Sequence, residues 1–243
     1  MLYKSLWVVD NREAEDVLSK YTDSRKTFAK GSFVYDQNDE RQHLLYLVEG
    51  RMKVSVFSHD GSEKTLAIHE PGSFFGETAF FDSKPSFSTA QALEKSVVLM
   101  FDREQLMSLF SDHPEIVFHL FESMGRKIRL LTFQVEYLSF MNIDQRAVAL
   151  LLSLFDVFGK SCDQQCENPS SEESLENSES CGHGDGSLLE LTITDQELAD
   201  MIGTRREAVT KAINKLKKTK LIYKRKRTIC CPSISRLNEF ISE

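Results

Sequence analysis

Cysteine is absent from the first 161 residues of this 243-residue chain, since all five cysteines follow residue 160. An extracellular disulfide framework would not be distributed in that way, so the pattern predicts reduced thiols. Long apolar runs are also missing. The run at residues 6–9 is too short for a signal-peptide core, and no later run approaches the roughly 18 residues of a membrane span. Together these absences predict a cytoplasmic protein with no membrane partner.

Positive charge is missing from residues 161–187, which contain seven acidic residues and neither lysine nor arginine. The net charge is -7, so the remainder of the chain is neutral. Within that remainder, residues 203–230 contain eleven basic residues and the single acid Glu207. A basic block of this kind is typical of a surface that binds phosphates.

Hydrophobic residues make up 41% of the chain, which is enough to bury the cores of two domains. A heptad pattern lies between them, from Pro114 to about Phe140. Its apolar positions, with spacings of 4 and 3, are Val117, Phe121, Met124, Ile128, Leu131, Val135 and Leu138. This pattern predicts a dimerisation helix roughly 40 Å long that forms a parallel coiled coil with a second copy. The alternative is a helix that packs along the core of its own domain.

The residues before this helix form short runs of alternating apolar and polar positions, and turn residues lie between the runs. This pattern predicts an all-β barrel or jelly roll. The predicted strands are 33–35, 44–48, 52–57, 65–69, 89–92 and 96–101, followed by a short helix over 103–110. Asp60-Gly61 predicts a hairpin with a type I′ turn, in which both central residues have positive φ.

Residues after the long helix predict a winged helix-turn-helix. A helix over about 144–158 comes first, and Thr194 with Glu197 then forms a capping box that starts the first helix of the motif. Gly203 suits the left-handed turn before a basic second helix. Residues 221–223 and 229–231 flank a basic wing tip, with Cys230 and Cys231 interpreted as packing residues. Nucleic acid is favoured over a protein partner for this motif.

The predicted organisation is therefore α+β: a β-roll domain at 1–110, a dimerisation helix at 111–141, and a winged helix-turn-helix domain at 142–243 with an acidic insertion at 159–187. Candidate DNA contacts lie on the second helix and the wing. They are Thr204, Arg205, Arg206, Glu207, Thr210, Lys211, Lys224, Arg225, Lys226 and Arg227. Arg and Lys suit guanine, whereas Glu207 can accept a hydrogen bond from cytosine N4. Glu207 could instead pair with a cap at Thr204.

The run Leu47-Val48-Glu49-Gly50, then Asp60-Gly61, then residues 71–77 ending in Gly76-Glu77 resembles the effector domain of the CRP/FNR family of transcription regulators. The resemblance spans nearly the whole chain. It implies a homodimer that binds palindromic double-stranded DNA, with RNA polymerase as a further candidate partner. It also implies that Arg206, Glu207 and Lys211 read base edges.

In that family a Gly-Glu pair and a downstream Arg-Ser pair hold cyclic AMP. Gly76 and Glu77 match, but the second pair is Phe87 and Ser88, so the arginine is missing. Losing that guanidinium costs several kcal/mol of phosphate binding, so cyclic AMP is not the expected effector. Phe74, Phe75, Phe80, Phe81 and Phe87 could line a pocket for an apolar or aromatic effector, or form plain barrel core. The expected effector contacts are Phe74, Gly76, Glu77, Phe87, Ser88, Thr89, Leu131 and Thr132.

Other sensory chemistries match the sequence less well. An iron-sulfur cluster of this family needs cysteines before the barrel, and His43, His59 and His69 lack the motif of a haem site. The insertion carries Cys162, Cys166, Cys181 and His183, which are the ligands of a zinc site or the thiols of a redox pair, although their spacing matches no strong template. The insertion could also act as an acidic brake on the DNA surface, or as a passive tether.

The sequence thus predicts a homodimeric DNA-binding regulator controlled by a small organic effector. The alternative is a regulator that senses redox state or metal through the insertion. We find no nucleophile-base pair, phosphate loop or paired carboxylates that would predict an enzyme.

Overall fold

The computed structural model describes residues 14–40, 43–161, 186–189, 194–225 and 228–242. The described residues divide into two compact units, one up to Gln134 and the other from Val135 onwards. The division falls inside the long helix. Among the described helices, none has the length and hydropathy needed to cross a membrane.

The first unit contains the β-structure that the sequence predicts. Its elements are α1 (Glu15–Leu18), β1 (Arg25–Phe28), β2 (Phe33–Tyr35), β3 (Leu44–Glu49), β4 (Met52–Phe57), β5 (Glu63–His69), β6 (Phe74–Phe75), α2 (Glu77–Asp82), β7 (Thr89–Ala92), β8 (Ser96–Phe101), α3 (Arg103–Asp112) and α4 (Pro114–Phe140). The strands form two four-stranded antiparallel sheets, ordered β1-β8-β3-β6 and β2-β7-β4-β5. All six predicted strands are present. The structure adds β1, β6, α1 and α2, which are too short to give a periodic signal.

Strand β3 explains why this unit has two layers of core. Because successive strand side chains point to opposite faces, Leu44 and Tyr46 pack with Leu106, Leu109 and other residues on one side of the strand. On the other side, Leu45 and Leu47 pack with Met52, Val54, Phe75 and Val98, between the two sheets. Five of the six residues of β3 are buried, so the strand reads as a continuous apolar run rather than an alternating one.

The β4–β5 hairpin is present, but its predicted turn type is wrong. Gly61 has a φ of +81°, whereas Asp60 is not among the residues with positive φ. The backbone N–H of Gly61 donates to Ser58 O, and the N–H of Ser58 donates to Ser62 O. This is a three-residue loop, in which a turn is followed by one left-handed glycine. Asp60 instead caps the loop by accepting a hydrogen bond from Ser62 N at 3.2 Å.

The second unit is the predicted helical domain with a small sheet. Its elements after α4 are α5 (Ile143–Phe158), β9 (Gly159–Ser161), β10 (Ser187–Leu189), α6 (Asp195–Ile202), α7 (Arg206–Lys218), β11 (Tyr223–Arg225), β12 (Thr228–Cys231) and α8 (Ile234–Ser242). The strands form one antiparallel sheet in the order β11-β12-β10-β9. The capping box at Thr194 is confirmed, and Gly203 has the expected left-handed backbone with a φ of +68°.

The two ends of the acidic insertion are strands rather than loop, which corrects the prediction for those residues. Gly159–Ser161 pairs with Ser187–Leu189 in register. The insertion therefore leaves the domain and returns to it through one antiparallel ladder. The candidate metal or redox residues Cys162, Cys166, Cys181 and His183 lie outside the described residues.

Candidate effector site and nucleic-acid interface

Helix α4 has a buried face that the sequence reasoning missed. Its buried residues are Ile116, Leu120, Ser123, Leu130, Gln134 and Tyr137, each one residue before a position of the predicted seam. Ile116 and Leu120 pack into the core of the first unit. The alternative interpretation of α4 as a core-packing helix is therefore correct for this face.

The predicted seam lies beside the buried face, and most of it is exposed. Phe121, Ile128 and Val135, which are spaced seven residues apart, are 62%, 63% and 65% exposed. Leu131 and Leu138 are also exposed. Two members differ from the prediction, because Val117 is half-buried and Met124 packs partly against the core of its own unit. Phe118, which the seam did not include, is 76% exposed. We call Phe118, Phe121, Ile128, Leu131, Val135 and Leu138 the exposed stripe.

The predicted effector segment begins at strand β6. Phe74 faces the core beside α3 and α4, while Phe75 faces the space between the sheets. Gly76 follows with a φ of +76°, a left-handed conformation that glycine adopts without strain. Of the aromatic cluster, Phe74, Phe75 and Phe80 are buried, whereas Phe81 and Phe87 are exposed. The first three thus form barrel core, as the alternative interpretation held.

Glu77 connects this segment to helix α4. Its carboxylate lies 2.9 Å from Lys127 Nζ, and both side chains are mostly buried, at 13% and 17% exposed. Lys127 Nζ also donates to the carbonyl oxygen of Phe74 at 2.6 Å. Two turns further along α4, Gln134 Nε2 donates to Leu66 O at 2.7 Å. Lys127 and Gln134 are polar residues on the buried heptad face, and that spacing is the signal that could have identified them.

The other predicted effector residues occupy different environments. Ser88 and Thr89 are buried, and Thr89 Oγ1 accepts a hydrogen bond from Gln37 N at 3.0 Å. Phe87 is 50% exposed, so it does not lie in a closed pocket. Thr132 is exposed and its Oγ1 donates to Ile128 O at 2.9 Å. Phe74 and Glu77 therefore contact α4. None of the described contacts links Phe87 or Thr132 to Phe74, Glu77 or Lys127.

His69 lies close to the same segment. Its ring stacks on Phe75 with 5.6 Å between the centroids. Burial, with a further contribution from the Lys127 charge, lowers the pKa of His69 well below 6.5. The lowered pKa favours the neutral form of this buried histidine. Among the described residues, no group of three or more His, Cys, Asp or Glu side chains could hold a metal ion.

Helix α7 presents the predicted base-reading face. Val209, Ala212, Ile213 and Leu216 are buried, while Arg206, Glu207 and Lys211 are exposed. The helix begins after Arg205, which is its N-cap and makes no side-chain capping bond. The alternative role of Glu207 as partner of a Thr204 cap is therefore wrong. A capping box needs the acid three residues after the cap, and Glu207 is only two residues after Arg205.

Asp195, at the start of α6, connects helix α7 to strand β11. Thr210 Oγ1 donates to Asp195 Oδ2 at 3.0 Å, and Lys224 Nζ pairs with Asp195 Oδ1. Burial raises the pKa of Asp195, but the hydrogen bonds from Lys224 and Thr210 outweigh it, so the pKa falls below 3.8. Lys224, a predicted DNA contact of the wing, lies in strand β11 and forms an ion pair with Asp195. The Arg225 side chain, Lys226 and Arg227 are outside the described part of the chain.

Strand β12 contains two adjacent cysteines. Cys231 is fully buried and its Sγ donates to Ser233 O at 3.2 Å, which agrees with a packing role. Cys230 is buried as well. Cys230 pairs with Leu188 on one side and with Tyr223 on the other, at the centre of the small sheet.

Comparison with known proteins gives matches in both units. A cyclic nucleotide-binding domain model matches residues 25–113, and a Crp-like helix-turn-helix domain model matches residues 145–240. The CRP-like cAMP-activated global transcriptional regulator of Mycobacterium tuberculosis is 27% identical over 188 residues, which cover 76% of this chain and 74% of that protein. The global nitrogen regulator of a Nostoc species is 24% identical over 211 residues, which cover 85% of each.

Solved structures share the fold. A CooA variant from Carboxydothermus hydrogenoformans aligns with a TM-score of 0.73 at 23% identity, covering 95% of this chain and 92% of that one. The c-di-GMP responsive global regulator CLP of Xanthomonas campestris aligns with a TM-score of 0.71 at 20% identity, covering 91% of this chain and 99% of that one.

Proposed function

This chain belongs to the CRP/FNR family of transcription regulators, and on that basis we propose that it is a homodimer whose β-domain binds a small effector that controls DNA binding. The relatives are regulators, so a regulatory role without an enzymatic reaction is part of the proposal. The main support for the proposal is the exposed basic face of α7, which follows α6 in the chain. Helix α6 begins with a complete capping box.

The exposed stripe of α4 supports the homodimer. A run of large apolar side chains that are 40% to 76% exposed is costly in water, and burial against a second copy would remove that cost. Phe121, Ile128 and Val135 repeat every seven residues, which is the period that keeps one helix face towards its partner. Gly125 lies between them, and a Cβ built there meets nothing within 4 Å. The partner helix can therefore approach closely at this point.

The effector site is proposed next to the contact between Glu77 and Lys127. This ion pair links the β6–α2 segment to the same helix that carries the exposed stripe. A ligand that rearranged the segment would therefore act directly on the dimer helix. We propose a small organic effector other than cyclic AMP, because Phe87 stands where the resemblance requires an arginine.

DNA recognition is proposed for α7, with the helix in the major groove and two protomers bound to a palindrome. Arg206, Glu207 and Lys211 are exposed along its N-terminal half, where recognition helices contact base edges. Arg205 and Thr204, at the start of the helix, are proposed to contact the DNA backbone. Contacts with RNA polymerase and a cytoplasmic location stay predictions.

Selection on random duplex DNA tests this function. The native protein is expected to enrich a palindrome whose half-sites lie about one helical turn apart. Native mass spectrometry of protein purified from its own host would then reveal a bound organic ligand. The proposal would be contradicted if the protein enriched no DNA sequence while mass spectrometry showed that its ligand was still bound.

Redox control is a second candidate, because the insertion that carries Cys162, Cys166 and Cys181 leaves and rejoins the domain through β9 and β10, and β10 pairs with the strand of Cys230. Cys230 pairs with Tyr223 in the sheet that carries the wing, so a disulfide formed there on oxidation could move β11. The test compares the DNA affinity of oxidised and reduced protein, with Cys230→Ser as the control that should lose the response. Equal affinity in the two states would eliminate this candidate.

A further inference from the structure

We propose that Asp195 is a specificity-determining residue, which withholds Lys224 from the DNA phosphates and holds the wing in register with the recognition helix. This inference rests on the proposed DNA-binding function. It assigns a role to the first residue of α6, which lies between the two members of the capping box.

The contacts of Asp195 join three elements. Asp195 is the first residue of α6, Thr210 lies in the middle of α7, and Lys224 lies in β11. Both carboxylate oxygens are used, since Oδ2 accepts from Thr210 and Oδ1 accepts from Lys224. A carboxylate that accepts a hydrogen bond from a different element with each of its oxygens fixes the relative position of the two elements, which a single contact would not do.

The burial of this group makes the ion pair persistent. The Lys224 and Asp195 side chains are 19% and 23% exposed, so solvent screens their attraction less than it would on an open surface. The ammonium group of Lys224 is neutralised inside the domain and cannot act as a simple phosphate-binding cation. The Asp195 charge also acts on Arg206, the first residue of the recognition helix.

Withholding Lys224 and positioning the helix have different effects on DNA binding. A cation released to the phosphates strengthens binding to every sequence alike, because phosphates are the same at every site. A carboxylate that removes one such cation therefore lowers specific and non-specific affinity alike. The effect on specificity comes from the position that Asp195 gives to the helix that carries Arg206 and Glu207.

The test is Asp195→Asn, which has the same shape and can still accept from Thr210 but carries no charge. Affinities for the selected palindrome and for a scrambled duplex are measured against salt concentration. The variant is expected to show a salt slope steeper by about 0.9 for each protomer, as one new phosphate contact gives. The ratio of specific to non-specific affinity is expected to fall about tenfold, the scale of one base contact.

Three further variants identify the cause. Adding Lys224→Ala to Asp195→Asn is expected to return the salt slope to that of the native protein, because Lys224 is the released cation. Thr210→Val, which leaves the ion pair intact, is expected to keep the native slope. Lys224→Ala alone is also expected to keep it, and this variant remains informative if Asp195→Asn does not fold.

The proposal is overturned if Asp195→Asn leaves the salt slope unchanged, or if Lys224→Ala alone makes the slope shallower by about 0.9 per protomer. The second result would mean that Lys224 contacts phosphate in the native complex. Both outcomes differ from failure of the proposed function, in which the native protein itself would bind no duplex with preference.

Discussion

Lys127 Nζ lies 2.9 Å from the Glu77 carboxylate and 2.6 Å from the Phe74 carbonyl oxygen, so one side chain of the long helix holds two points of the β6–α2 segment. Both members of the ion pair are mostly buried. Removal of one member would leave the other charge without compensation in a poorly solvated site.

Lys127→Met should therefore lower the free energy of unfolding by about 3 kcal/mol, as the loss of one partner from a buried pair does. The measurement is urea denaturation of the purified protein. Lys127→Met combined with Glu77→Gln should recover much of this loss, because no buried charge is then left over. A double variant that is no more stable than the single one would show that the pair is not responsible.

The dimer is expected to separate when Ile128→Lys and Leu131→Lys are introduced together, since like charges would then face each other across the exposed stripe. Sedimentation measures the mass of the particle. Glu122→Lys is the control, because it places a lysine on the same helix away from the stripe, and it should leave the dimer intact. A dimer that survives the double substitution would refute the assignment of this face.

Stability should decline in mild acid because of His69. The pKa of its ring in the folded protein lies well below 6.5, owing to burial and then to the Lys127 charge. Below pH 6.5 the unfolded chain binds a proton that the folded chain does not bind. This contribution to stability is therefore present above pH 6.5 and is lost as the pH falls, by up to about 1.4 kcal/mol per pH unit.

His69→Phe preserves an aromatic contact with Phe75 and removes the titration. Thermal or urea unfolding of both proteins between pH 6.5 and about pH 5 should show a shallower pH dependence for this variant. Identical slopes for the two proteins would mean that His69 does not stay neutral in the folded state.

Cyclic AMP should fail to bind the native protein at physiological concentration. Phe87 supplies no charge-assisted hydrogen bond, which forfeits about 3 kcal/mol, or more than a hundredfold in affinity. Titration calorimetry measures the affinity for cyclic AMP. The comparison is Phe87→Arg, which restores a guanidinium at a half-exposed position and should bind cyclic AMP more tightly. A micromolar dissociation constant for the native protein would overturn the expectation.

Glu207→Ala should relax the choice of base at one position of each half-site, with a loss of about 1–3 kcal/mol for the preferred base. Since Arg205 is the N-cap and its side chain makes no capping bond, a capping role for Glu207 no longer competes with this expectation. Glu207→Gln is the matched control, because it keeps the length of the side chain while it removes the charge. An unaltered motif in a selection with the Ala variant would show that Glu207 does not read a base.

Local signals along the chain were sufficient for most elements. The capping box at Thr194, the left-handed Gly203 and the long apolar period of α4 each depend on residues within a few positions of one another, so the sequence contains the whole cause. The two-residue strand β6 and the short helix α2 have no such signal. Phe74 and Phe75 of β6 fill the cores on the two faces of one sheet, and Phe80 of α2 packs into the first of these cores.

The sequence by itself determined the family, the six principal strands, the long helix with its apolar heptads, and the basic helix-turn-helix, because each follows from periodicity, turn residues or charge along a continuous stretch. Only the tertiary structure decided which of the neighbouring faces of α4 is buried, that Lys127 pairs with Glu77, and that Asp195 binds both Thr210 and Lys224. The paired residues lie 50, 15 and 29 positions apart. Contacts over such separations depend on how the elements pack, which local patterns along the chain do not encode.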